Sequence, residues 1–160
     1  MKTSLLLSIL AAALSAGSAV AQTPADAAFA KLAALSGTWS TSDESGQSAE
    51  VVFSVVSDGS AVLENSMGMI TVYTQDNGTL MATHYCSIHN QPRMRAQVSG
   101  GDVKSLDFQF VDVTNAGPND HFINHLNFDF VDQNHIVESW GYGTATTSLG
   151  TTQYKLSRKQ

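Results

Sequence analysis

From Trp39 to Arg158 the chain reads as short runs of alternating apolar and polar residues, separated at strand-sized intervals by turn formers. A period of two suits an extended strand with one buried face. The runs include Ala49 to Val56, Met69 to Thr74, Thr79 to Cys86, Leu106 to Val113 and His121 to Val131. The punctuation is Ser45-Gly46, Asp58-Gly59, Asn77-Gly78, Gly100-Gly101, Ala116-Gly117-Pro118, Gln133-Asn134 and Gly141 to Gly143. About eight to ten strands follow, joined by hairpins with no long crossover. A meander of that size loses its exposed edges most simply by closing on itself. The expected fold is all-β, an antiparallel up-and-down β-barrel with a short N-terminal helix.

Two turns predict which residues face one another. A two-residue Asn77-Gly78 turn sets Asp76 opposite Thr79, and His84 opposite Thr71, Ala82 opposite Tyr73 and Cys86 opposite Met69, these last three pairs all on one face. The Asp58-Gly59 turn sets Glu64 opposite Phe53, on a face with Val51, Val55 and Val62. A carboxylate there is either a satisfied contact inside the barrel or a strand-edge residue near solvent. The scarcity of unpartnered buried carboxylates favours the second. In the strands holding Leu106, Phe108 and Phe110, and Phe122, Leu126, Phe128 and Phe130, alternation defines two faces without saying which points inward.

Ahead of the strands, Thr23-Pro24 with Asp26 reads as a helix start. Phe29, Leu32 and Leu35 share a helical face, and Gly37 is expected to stop the helix. Residues 1–21 read as an export signal: Lys2, an apolar core from Leu5 to Leu14, and Ala19-Val20-Ala21 as the cleavage pattern. Cleavage near Ala21 leaves a single domain, 22–160, and an exported product, periplasmic or secreted. No later run has the ~20 apolar residues of a membrane helix. Loss of Lys2 leaves 7 basic and 14 acidic residues, a net charge of −7. Nucleic acid and anionic membrane are therefore poor partners. The single cysteine, Cys86, has no internal disulfide partner and is expected to be buried as a small apolar residue.

The triplet Gly37-Thr38-Trp39, placed after a short helix and opening the first strand, resembles the G-x-W signature of the calycin families, the lipocalins and fatty-acid-binding proteins. In such barrels the tryptophan closes one end beneath a cation from the last strand. The resemblance implies that Gly37, Trp39 and Arg158 have this closing role. The segment Thr83 to Met94, THYCSIHNQPRM, is similar to a stretch in an uncharacterised family of bacterial lipocalin-like barrels. Those proteins also carry a strand like Ile70-Thr71-Val72-Tyr73 and a histidine strand like His121-Phe122-Ile123-Asn124-His125. The likeness runs from Leu35 to Arg158. Where that family often has a second histidine, this chain has Ile123, and its next histidine is His125. The resemblance implies a fold and leaves the activity open.

Three kinds of chemistry compete for these residues. His84 and Cys86, spaced i, i+2, suit zinc or copper, with His121 or His125 as a third ligand. His121 and His125 lie roughly 13 Å apart on an extended strand, so one ion cannot take both without a bulge. Non-covalent haem on a histidine is another alternative, since no C-x-x-C-H motif is present. Cys86 as a nucleophile lacks any protease signature, and no serine sits in a G-x-S-x-G frame, so no catalytic residue is assigned. The preferred reading assigns no cofactor or metal. It expects a small apolar or amphipathic molecule in the barrel, oriented by His84, Tyr85, Cys86, Gln91, Arg93, Arg95, His121, His125 and Trp140. Arg93 and Arg95 share a face and are expected to pair with acids such as Glu64, Asp107 or Asp129; a carboxylate clamp is their alternative use. A solid, filled barrel serving structure or interaction is the remaining possibility.

Overall fold

A computed structural model describes residues 22–42 and 48–160 of the chain. One helix, α1 (Pro24–Ala33), precedes ten strands: β1 (Gly37–Ser42), β2 (Ser48–Val56), β3 (Ala61–Ser66), β4 (Met69–Asp76) and β5 (Thr79–Tyr85), then β6 (Gln91–Ala96), β7 (Ser105–Thr114), β8 (Phe122–Phe130), β9 (His135–Gly143) and β10 (Ser148–Arg158). Each strand pairs antiparallel with its sequence neighbours, and β10 pairs with β1, closing the barrel. The export signal and the Ser45-Gly46 turn lie outside the described residues. Among the described residues no helix is long and apolar enough to cross a membrane.

Helix α1 starts as its sequence directs. Thr23 Oγ1 accepts from the Asp26 amide at 3.2 Å, and Asp26 Oδ2 accepts from the Thr23 amide at 2.8 Å, a reciprocal capping box. The buried face is Ala25, Ala28 and Leu32. The helix ends earlier than expected, at Ala33, with Ala34 as its cap. Gly37 instead opens β1 with φ of +131°, and a Cβ there would lie 3.0 Å from Arg158 Nη1. Its small size serves that approach, because a side chain would push the guanidinium off Trp39.

Around Trp39 the end of the barrel next to α1 is shut. The indole Nε1–H donates to Leu35 O at 2.7 Å, and the Arg158 guanidinium carbon lies 4.3 Å from the indole centroid. Arg158 also donates to Ser36 O and Ala34 O, each at 2.8 Å, and to Gln133 O at 3.2 Å. A cation over an aromatic face, with its N–H groups on main-chain carbonyls after α1 and between β8 and β9, ties the last strand to the helix–strand junction. Trp39, Phe53, Tyr73, Phe108 and Phe128 then fill the neighbouring layer, with ring centroids 5.7–6.5 Å apart. Leu80, Met94, Leu126 and Ile136 complete this solid half.

Both registers read from the turns are present: Thr71 faces His84, Tyr73 faces Ala82, and Phe53 faces Glu64. Asn77 and Gly78 both have positive φ, +48° and +82°, as a type I′ hairpin turn requires. The same geometry recurs at Met67-Gly68, between paired Ser66 and Met69, a turn that the expected punctuation omits. The ladder stops at Tyr85, so Cys86 is not paired with Met69; its amide bonds to Asn90 O across a loop. Gly141 to Gly143, expected as a turn, lie inside β9. A register irregularity between Ile123 and His125 brings His125 against Gly141, where a Cβ would stand 2.7 Å from the His125 Cβ. The glycine answers a close strand approach instead of a chain reversal.

Candidate functional site

A cavity of about 480 Å³ occupies the half of the barrel away from α1. The inward positions of β3, β4, β5 and β9 above the aromatic layer build its floor: Glu64, Thr71, His84, Glu138 and Trp140. Apolar residues Met67, Met69, Ile123 and Leu149 stand higher on the wall, with Cys86 and Tyr142. Period-two alternation explains this placement. On β3, Val62 is packed and Glu64 is two residues further up; on β9, Ile136, Glu138 and Trp140 climb the same face.

The floor is polar and its carboxyls are buried. Glu64 is 1% exposed and Glu138 2% exposed. The Tyr73 hydroxyl donates to Glu64 Oε2 at 2.5 Å, and Trp140 Nε1–H donates to Glu138 Oε2 at 3.1 Å. His84 Nδ1 shares a 3.0 Å hydrogen bond with Thr71 Oγ1, and its ring centroid lies 5.1 Å from that of Trp140. β5 and β9 therefore touch across the lumen at this level. Three buried polar atoms of the wall have no hydrogen-bond partner among the described residues: Glu138 Oε1, His84 Nε2 and Thr41 Oγ1. Buried polar groups are ordinarily satisfied, so such a concentration around one space is informative.

Burial dominates the electrostatics. It raises the Glu64 carboxyl to about 7, partly offset by the Tyr73 hydrogen bond. It drives Glu138 well above the usual carboxylate range, and nearby Glu64 adds to the rise, against the Trp140 hydrogen bond. The Tyr73 hydroxyl is raised by burial and then by the two glutamates, so it stays a donor. His84 is lowered by burial to about 4 and is uncharged at neutral pH. The result is a pair of carboxyls that hold protons where surface carboxylates would not.

The expected site residues divide into two sets. His84, Cys86 and Trp140 do line this cavity. Cys86 is only half-buried at its mouth, not packed in the core, because the ladder ends before it. Tyr85 lies on the outer face, 50% exposed, since it alternates with His84. Arg93 and Arg95 also point outward, and their acid partners differ from those expected: Arg93 pairs with Asp112, and Arg95 with Asp76 at 3.1 Å. Gln91 bonds to Thr114 and, at 3.2 Å, to His89 O. His125 pairs with Asp107 on the exterior, and His121 stands exposed against the Tyr142 ring at 5.7 Å. Neither joins His84 and Cys86, and the described residues contain no cluster of three His, Cys, Asp or Glu arranged to hold a metal ion.

Glu64 is the sharpest correction. The expectation put it near solvent; it is buried, because Tyr73 from the adjacent strand supplies the partner whose absence argued against burial. Glu138 carried a usable signal: it sits between Ile136 and Trp140 on one strand face, a carboxylate on an otherwise apolar stripe.

No family model and no curated protein matches the chain. Among solved structures, the chain is similar to the crystal structure of Rv2717c from M. tuberculosis, with a TM-score of 0.52 and 11% identity. The likeness covers 83% of this chain and 98% of that one. At that identity it speaks for the ten-stranded barrel alone.

Proposed function

We propose that the barrel binds a small, partly apolar molecule in the cavity above its aromatic layer. The reading is carried by one observation: a space of about 480 Å³ whose floor presents buried, unpartnered polar atoms under apolar walls. Cavities of about 300–1,000 Å³ with a few convergent polar groups are the usual form of small-molecule sites. His84, Cys86 and Trp140 are the expected ligand-facing residues, joined now by Glu64 and Glu138.

Native mass spectrometry of protein purified from its own host, with Trp140 fluorescence titrations of the emptied protein, tests this. A co-purifying small molecule or a saturable quench supports it. Neither, together with no displacement of an apolar dye, ends it. A lipocalin-like affiliation belongs to the same proposal, supported by Gly37-Thr38-Trp39 under Arg158. Export is proposed from residues 1–21; a mature N-terminus at Gln22 is the result that checks it.

A second reading draws on His84 and Cys86 sharing one wall, where they could hold a metal or approach a haem. The chemistry of an unpartnered imidazole nitrogen suits it. Elemental analysis and the absorption spectrum of the host-purified protein separate it from the first.

A further inference from the structure

The cavity wall bears carboxyls and, among the described residues lining it, no lysine or arginine. The strand arginines that could have clamped an anion, Arg93 and Arg95, are outside the barrel on acids of their own. A carboxylate ligand would thus be carried against the buried Glu64 and Glu138 with no counter-charge, which burial penalises heavily. The opposite charge meets a prepared surface. Glu138, on the cavity lining, has Oε2 held by Trp140 Nε1–H and Oε1 buried with no partner among the described residues, and Glu64 is anchored by Tyr73 from below.

Resting on the small-molecule reading above, we propose that the cavity takes the protonated amino head of a small amphipathic amine, with Glu138 Oε1 and Glu64 as its acceptors beside the Trp140 indole. An ammonium has three donors and no acceptor, matching acceptor-only carboxylates, and an indole adds attraction for a cation. The apolar part lies against Met67, Ile123 and Leu149 on the upper wall.

The protons balance simply. In the absence of a cation, burial raises both carboxyls, so that Glu64 keeps its proton below about 7 and Glu138 is held well above the usual carboxylate range. An ammonium close by favours the ionised form, so one carboxyl O–H proton leaves to solvent as each cation enters, and the amine keeps its own. Affinity for the cation therefore rises as pH climbs through about 7, where Glu64 sheds its proton unaided. It declines again near 10, where a primary alkylamine itself becomes neutral. The other titratable groups lining the space are His84 on β5, Cys86 beyond β5, Tyr142 on β9 and Tyr154 on β10, and Tyr73 on β4 lies beneath it against Glu64. Tyr73 keeps its proton and His84 stays uncharged across this range.

Isothermal titration of the folded chain with octylamine, octanol and octanoate, each in two buffers of different ionisation enthalpy, tests the assignment. The expected result is octylamine binding at least ten-fold tighter than octanol, octanoate weakest, and about one proton released per octylamine at pH 6. Glu138→Gln and Glu64→Gln, each checked for native circular dichroism, should narrow the octylamine–octanol gap to less than three-fold. Octanol or octanoate binding as tightly as octylamine overturns the amine assignment while leaving the small-molecule reading standing. Failure of all three, with no apolar dye displaced, removes both.

Discussion

At the α1 end of the barrel the Trp39 indole N–H has Leu35 O, and the Arg158 guanidinium has carbonyls and an aromatic face. At the other end Glu138 Oε1, His84 Nε2 and Thr41 Oγ1 have no partner among the described residues. The same ten strands build both ends. One end is packed and satisfied, as a stabilising core should be; the other buries polar groups without partners among the described residues, an arrangement that weakens folding. Proteins carry such groups where a site needs them. The contrast separates stability from function along one barrel axis.

Trp39→Ala should produce the largest loss, about 3–5 kcal/mol, since it empties a fully buried ring site, takes the indole donor from Leu35 O and removes the aromatic face under the guanidinium. Chemical denaturation measures it; a loss below about 1 kcal/mol would mean that the closed end does not anchor the fold.

The open end should reveal itself through pH. Glu64 and Glu138 have folded-state values raised above 4.5, so each contributes stability that is present below 4.5 and lost as pH rises through its folded value, about 7 for Glu64. His84 has a folded value lowered from 6.5 to about 4, so its contribution is present above 6.5 and lost as pH falls through that interval. Between about 4.5 and 6.5 the histidine cancels the slope of one glutamate, and above 6.5 it no longer does. Stability should therefore fall gently with pH at first and more steeply between 6.5 and 7. His84→Gln removes an opposing contribution on the order of 3 kcal/mol over its interval. The fall should then be about twice as steep from pH 5 to 6.5. Unchanged profiles in His84→Gln would contradict the assigned protonation states.

Gly37→Ala comes next, at about 1–3 kcal/mol. It combines a φ of +131° with a Cβ 3.0 Å from Arg158 Nη1. Its melting temperature should drop, and Trp39 fluorescence should change as the guanidinium shifts. The smallest effect is expected for Arg93→Ala. Its partner Asp112 lies with it on the solvent face, so neither the denaturation midpoint nor amine binding should move measurably. A binding defect there would redraw the site.

Much of the framework was legible along the chain. The Thr23–Asp26 cap, the Asn77-Gly78 turn and the Phe53–Glu64 register depend on local chemistry or on counting residues out from a turn, the Trp39–Arg158 pair was implied by the G-x-W resemblance, and all are present. The end of α1 and the role of Gly141 were misread, because glycine marks both chain reversals and close approaches, and only the neighbouring strand distinguishes them. Of the residues expected to face a ligand, His84, Cys86 and Trp140 line the cavity, while Tyr85, Arg93, Arg95 and His125 occupy outer positions.

Taken by itself, the sequence determined the period of two, the turns and hence which side chains share a face, since each follows from backbone geometry within a few residues. Which face turned inward was decided only when β10 met β1 and the strands curled around a common axis. The β3–β4 pairing set Tyr73 against Glu64, and closure brought His84 beside Trp140 from the other side of the lumen. Burial and partner are properties of the folded neighbourhood, so the carboxyls that hold their protons could be recognised only after the barrel had formed.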